Sequence, residues 1–124
     1  MDPKFIIEFD YMYKDIVLAH VKYDFVHGPV EFKNYTNCIA LKPFGDSEYA
    51  NLEDVDTFYR SRCFDENRVD CDDLLESYGI EHFHAYEIVR LSHGIMISDD
   101  CWVRFVEDGG MTYEEAKNSI GVLW

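Results

Sequence analysis

The hydrophobic pattern of this chain changes period at Asn51, and no other feature constrains its fold as tightly. Upstream, the stretch KFIIEFDYMYKDIVLAHVKYDF is dense in β-branched and aromatic side chains, which suit a pleated, half-buried surface. A break around Asp10 to Lys14 divides it into two runs of strand length. In the second run Ile16, Leu18 and His20 alternate with Val17, Ala19 and Val21, a pattern that allows both faces to be covered. The HGP turn at His27 to Pro29 follows, then VEFK, then CIALK, which closes before Pro43. These segments predict an antiparallel meander of three or four strands.

Downstream, apolar residues recur at helical spacing. In NLEDVDTFYRSRC, Asn51 is placed to cap a helix and Glu53 and Asp54 suit the positive end of its dipole. Leu52, Val55 and Phe58 or Tyr59 form one apolar stripe. DCDDLLESYG predicts a second helix capped by Asp70, with Leu74, Leu75 and Tyr78 inward and Gly79 as a left-handed stop. AYEIVRLSHG predicts a third, with Ile88, Val89 and Leu91 apolar and Gly94 ending it. TYEEAKNSIG predicts a fourth, with the capping box Thr112-x-x-Glu115 and a stop at Gly121. CWVRFVE, between the last two, alternates as a strand does. An N-terminal antiparallel β-meander followed by three or four short helices and a late strand is an α+β fold, expected as a single domain over 1–124.

At 124 residues the chain is long enough to bury roughly two thirds of its unfolded surface around one core. A hydrophobic share of 48% and an aromatic share of 16% exclude a disordered chain. The 25 acidic against 11 basic side chains, a net of −14, repel DNA, RNA and anionic membranes and favour a basic partner. Residues 1–45 hold six acids and five bases, residues 46–76 eleven and three, and the remainder eight and three. An acidic face is therefore expected in the middle of the chain. No secretory leader pattern opens the sequence, and no apolar run approaches the roughly 18 residues of a membrane span. A cytoplasmic chain without membrane contact is expected.

VRLSHGIMISDDCWVRF gathers His93, Ser98, Asp99, Asp100, Cys101 and Arg104, the side-chain types of a catalytic site. A cysteine acts as a nucleophile only as thiolate, which needs a nearby base or positive field. The local pattern reads instead as a helix stop at Gly94, a capped turn from Ser98 and a buried strand led by Trp102. Cys38, Cys63, Cys71 and Cys101 match neither a CxxC motif nor paired zinc knuckles and are expected to be reduced. His82-x-His84, with His93 or Asp99, is the best metal candidate, yet it lacks four ligands at recognisable spacing. It also lacks the H-x-E and PCxxC of a zinc deaminase. The sequence thus predicts no catalytic residue, metal or cofactor, and no enzymatic activity. Arg60, Arg62 and Arg68 are expected to form internal salt bridges that hold two helices together. Trp124 is expected to tuck into the core.

LEDVDTFYRSRCFDENRVDCDDLLESYGI, AYEIVRLSHGIMISDDCWVRF and MTYEEAKNSIGV resemble a group of small proteins of Firmicutes genomes, prophages and mobile elements. Some of that group look like companion segments of HipA-type serine/threonine kinases. The shared pattern runs through Arg62-Cys63-Phe64, Arg68, Leu74-Leu75, Gly79, His93-Gly94, Asp99-Asp100, Trp102 and Tyr113-Glu114-Glu115. No kinase catalytic loop, glycine-rich phosphate loop or DFG is present, so any kinase activity would belong to a partner. The resemblance implies an accessory role in a phage or mobile-element setting.

The acids are the strongest functional lead. Glu53, Asp54, Asp56, Asp65, Glu66, Asp70, Asp72, Asp73 and Glu76 are expected to line a single ridge. Carboxylates three or four residues apart on a helix lie roughly 5–6 Å apart, similar to successive phosphates of a nucleic-acid strand. The expected function is that of a non-enzymatic, anti-CRISPR-like inhibitor that occupies a basic surface of a nucleic-acid-handling host protein. The alternative is a regulatory or antitoxin-like companion of a HipA-type kinase.

Overall fold

The computed structural model describes residues 3–119, and the expectations for Gly121 and Trp124 lie outside the described residues. Lys14 and Asp15 fold the first aromatic-rich run back on itself. β1 (Ile6–Tyr13) pairs antiparallel with β2 (Ile16–Asp24), Tyr13 opposite Ile16, and Lys14 takes the turn at φ 49°. The break in the strand pattern therefore lies at Lys14 and Asp15, and Asp10 sits inside β1. The HGP turn, with Gly28 at φ 71°, leads into β3 (Val30–Asn34), antiparallel to β2. Four helices follow: α1 (Leu52–Ser61), α2 (Cys71–Ser77), α3 (Ala85–Ser92) and, after the late strand β4 (Cys101–Phe105), α4 (Tyr113–Ser119). β4 pairs antiparallel with β1, so the sheet runs β3-β2-β1-β4. The expected α+β class and the N-terminal meander are both present.

CIALK does not continue the meander. Ile39–Leu41 is a single 3-10 turn with no buried residue, and Ile39 is 54% exposed. Lys42 N–H bonds back to Ile39 O in place of a neighbouring strand.

One face of the sheet holds the main core. A bulge shifts the β1–β2 register after Tyr11, so Leu18 has no partner on β1, and Leu18 and Ala19 are both buried. Ala19, Val21 and Tyr23 then join Phe9, Tyr11, Val103 and Phe105 against Val55, Phe58, Tyr59, Leu75, Ile88 and Val89 of the helices. Phe9 stacks on Phe58 at 5.6 Å and Tyr11 meets the same ring edge-on at 5.0 Å. Such aromatic pairs contribute about 0.5–1.5 kcal/mol each beyond their buried area. On the opposite face Met12 and Trp102 pack with Ile95 and with Ala116 of α4, forming a second, smaller core. Trp102 fixes its indole there by donating to Lys14 O at 2.6 Å.

The helix ends follow local chemistry, with two departures from expectation. Asn51 caps α1 in a reciprocal box: its side chain accepts from Asp54 N–H, and the Asp54 carboxylate accepts from Asn51 N–H, both at 2.9 Å. Thr112 and Glu115 form the same device ahead of α4. Asp70 precedes α2, but its side chain makes no cap bond because it faces Arg68 Nε at 2.6 Å. Gly79, at φ 72°, ends α2 as expected. In α3 the left-handed residue after the last turn is His93, at φ 57°, and Gly94 only follows it. Val103 N–H donates to His93 O at 2.7 Å, so pairing with β4 sets where the helix stops. Ala85, Ile88, Val89 and Ser92 form its buried side, while Leu91 is 47% exposed.

Candidate functional site

Eight of the nine acids singled out in the sequence are exposed, and Asp70 is half-buried. Their surroundings sort them into two kinds. Asp54 belongs to the α1 capping box, Asp65 accepts from Asn67 N–H at 2.8 Å, and Asp70 faces Arg68. Asp56 and Glu66 both hold Arg60, at 2.9 Å each. Glu53 on α1 and Asp72, Asp73 and Glu76 on α2 form no ion pair with any described residue. All three arginines of residues 46–76 are engaged elsewhere, Arg60 and Arg68 by these acids and Arg62 in the interior. The free carboxylates thus face solvent with no countercharge of their own segment.

Arg62 ends α1 and is 4% exposed. Its Nη1 and Nη2 donate to the two carboxylate oxygens of Asp99 at 2.9 Å each. Nε donates to Gly94 O at 2.9 Å, and Nη2 also to Cys101 O at 2.6 Å. The guanidinium fork suits this planar, two-pronged contact. The expected salt bridging by Arg62 is therefore real, but it ties α1 to the segment entering β4 and not to a second helix. The hydrogen bonds from Arg62 hold the Asp99 carboxyl below the usual carboxylate range, against the opposing effect of burial.

The same contacts take apart the apparent catalytic kit. Asp99 is committed to Arg62 and to Cys101 N–H at 3.0 Å. Cys101 is 4% exposed within the main core, and burial pushes its thiol pKa up, away from thiolate. His93 packs edge-on against Trp102 of the second core, ring centroids 6.5 Å apart, with Nδ1 3.6 Å from Asp108. These three side chains form no nucleophile–base relay. His84 caps α3, accepting from Glu87 N–H at 3.4 Å, and both His82 and His84 are exposed. Among the described residues no group of three or more His, Cys, Asp or Glu is arranged to hold a metal ion. Cys38, Cys63, Cys71 and Cys101 are all free thiols.

A polar cluster invisible to motif reading lies on the sheet face away from α1 to α3. Cross-strand pairing sets Asp10 between His20 and Arg104. His20 Nδ1 lies 2.6 Å from Asp10 and Nε2 2.5 Å from Glu8, while Arg104 Nη2 donates to Asp10 at 3.2 Å and Nη1 to Met111 O at 3.4 Å. Both ring nitrogens face acceptors, which only the imidazolium satisfies. Burial works against that charge, but the bonds and charges of Asp10 and Glu8 outweigh it and raise the pKa of His20. The cluster ties the three strands β1, β2 and β4 together through these contacts. Only the alternation of Glu8 and Asp10 with a turn at Lys14 hints at it in the sequence.

A cleft of about 540 Å³ lies between the start of the sheet and the helices, lined by Ile7, Tyr23, Val55, Tyr59, Tyr86 and His84 among others. At its floor the Tyr23 and Tyr59 hydroxyls share a 2.7 Å hydrogen bond, and burial raises both phenol pKa values. Its walls are both aliphatic and aromatic, and Asp56 and Glu107 line it together with His84. No family model, no curated protein and no solved structure matches the chain.

Proposed function

We propose that this chain is a non-enzymatic binding protein of phage or mobile-element type. Its acidic segment occupies a basic, nucleic-acid-handling surface of a host protein in the bacterial cytoplasm. The reading rests on one observation: Glu53, Asp72, Asp73 and Glu76 are exposed without countercharge because every arginine of residues 46–76 is held by another carboxylate. A field of this kind steers and selects a cationic partner while repelling nucleic acid itself. No helix among the described residues is long and apolar enough to cross a membrane. No observation favours the kinase-companion alternative over this reading.

The test is capture of the partner from host lysate at graded salt, followed by competition with nucleic acid for the captured protein. Replacing Glu53, Asp72, Asp73 and Glu76 with lysine together should abolish capture. Because Glu53, Asp72 and Asp73 lie in the first turns of α1 and α2, the neutral Gln and Asn replacements at the same four positions, with circular dichroism alongside, should weaken capture while the helices are kept. Asp54 and Asp70 are unsuitable for this purpose, since they serve a helix cap and an Arg68 pair. Binding that survives the fourfold reversal, or that is indifferent to salt, defeats the proposal.

A further inference from the structure

β3 is an outer strand of the sheet, bonded on one side only. Asp24 N–H donates to Pro29 O and Tyr35 N–H to Leu18 O, which fixes Lys22 with Glu31 and His20 with Lys33 as the hydrogen-bonded pairs of the β2–β3 ladder. Val30, Phe32 and Asn34 therefore turn their N–H and C=O groups outward, and no backbone group of a described residue takes them up. A row of this kind is a template for another strand. Glu31 and Lys33 flank Phe32, both exposed, and neither forms an ion pair with a described residue; Lys33 Nζ lies 5.3 Å from the Tyr35 ring centroid.

We propose that β3 pairs antiparallel with β3 of a second copy of this chain, about a two-fold axis through Phe32, joining two four-stranded sheets into one. In that register Phe32 meets Phe32 and Val30 meets Asn34, so every outward N–H and C=O finds a partner. Glu31 of each copy faces Lys33 of the other. Tyr35, 58% exposed, comes opposite Pro29 of the second copy. Sliding the strands by two residues one way sets Glu31 against Glu31, and the other way Lys33 against Lys33, and like charges directly opposite are destabilising. The Glu-Phe-Lys order thus selects both the register and the occupant, because this strand complements itself when antiparallel. β3 also lies in residues 1–45, which carry six acids and five bases, the least charged part of the chain.

Sedimentation equilibrium from about 1 µM to 1 mM tests this, a range that spans weak specific association. The unmodified chain should show a monomer–dimer equilibrium. Glu31→Lys and Lys33→Glu should each raise the dissociation constant about tenfold or more, since both symmetric ion pairs become repulsive. An equimolar mixture of the two single variants should associate again, one strand then carrying two cations and the other two anions. The double variant, with both charges exchanged, should dimerise as the unmodified chain does. A chain that stays monomeric throughout overturns the proposal. So do single reversals that leave association unchanged, or a mixture that associates no better than its components. Both positions are exposed, so circular dichroism should show every variant folded.

Discussion

Arg62 joins three parts of the chain that are distant in sequence: the end of α1, the Gly94 carbonyl after α3, and the entry to β4. Arg62→Ala removes four hydrogen bonds, leaves buried carbonyls of Gly94 and Cys101 without a donor, and is expected to destabilise the fold by about 3 kcal/mol. Urea denaturation measures it, and a loss below about 1 kcal/mol would show the contact to be incidental. Two titrating groups give opposite signs. Asp99 has a lowered folded pKa, so its contribution is complete above the ordinary carboxylate value of about 3.9 and is lost as pH falls through the folded value beneath it. His20 has a raised folded pKa, so its contribution is complete below about 6.5 and is lost as pH rises through the folded value above it. Stability curves of Asp99→Asn and His20→Gln should therefore flatten on the acid and the neutral-to-basic limbs respectively. An NMR titration of His20 midway at or below the ordinary histidine value would contradict the ion-pair account.

At the level of elements, glycines that look alike in sequence differ in what surrounds them. Gly79 and Gly94 both take positive φ, 72° and 61°, but a Cβ at Gly79 meets open space while one at Gly94 meets Val103 Cγ2 at 3.0 Å. Gly79→Ala is expected to cost about 1–2 kcal/mol from backbone strain alone. Gly94→Ala should exceed it by a further 1 kcal/mol or so of overpacking, and thermal unfolding of the two variants in parallel decides the order. The strands and helices were legible in the sequence because their signals are local: alternating apolar residues in β1 and β2, and the capping boxes at Asn51 and Thr112. What escaped depends on the tertiary partner. CIALK has strand composition but no strand to pair with, and Asp70 has cap chemistry but Arg68 beside it. The bulge at Leu18 decides which residues of β2 face inward. Of the candidate sites, exposure of the acids could be anticipated from helix periodicity. Which of them lack a countercharge, and the Glu8–His20–Asp10–Arg104 cluster, emerge only from contacts across the fold.

Across the whole molecule, charge and architecture are divided. The near-balanced first 45 residues build the three-stranded meander, and the eleven acids and three bases of residues 46–76 build α1, α2 and the loop between them. Partner capture should follow the second region and the oligomeric state the first, so the two properties should be separable by mutation. The sheet order adds a constraint of its own, because β1 is central and its second neighbour is β4, the last strand among the described residues. On the ribosome, the meander therefore emerges with the β1 edge still open, and Met12 waits for Trp102 before its face is covered. A chain ending at Asp100 should accordingly aggregate or be degraded during synthesis, whereas the full chain should accumulate as a folded protein. Pulse-labelling with a solubility assay would separate these outcomes. The order in which the strands leave the exit tunnel thus makes the late strand the step that ends the nascent chain's exposure.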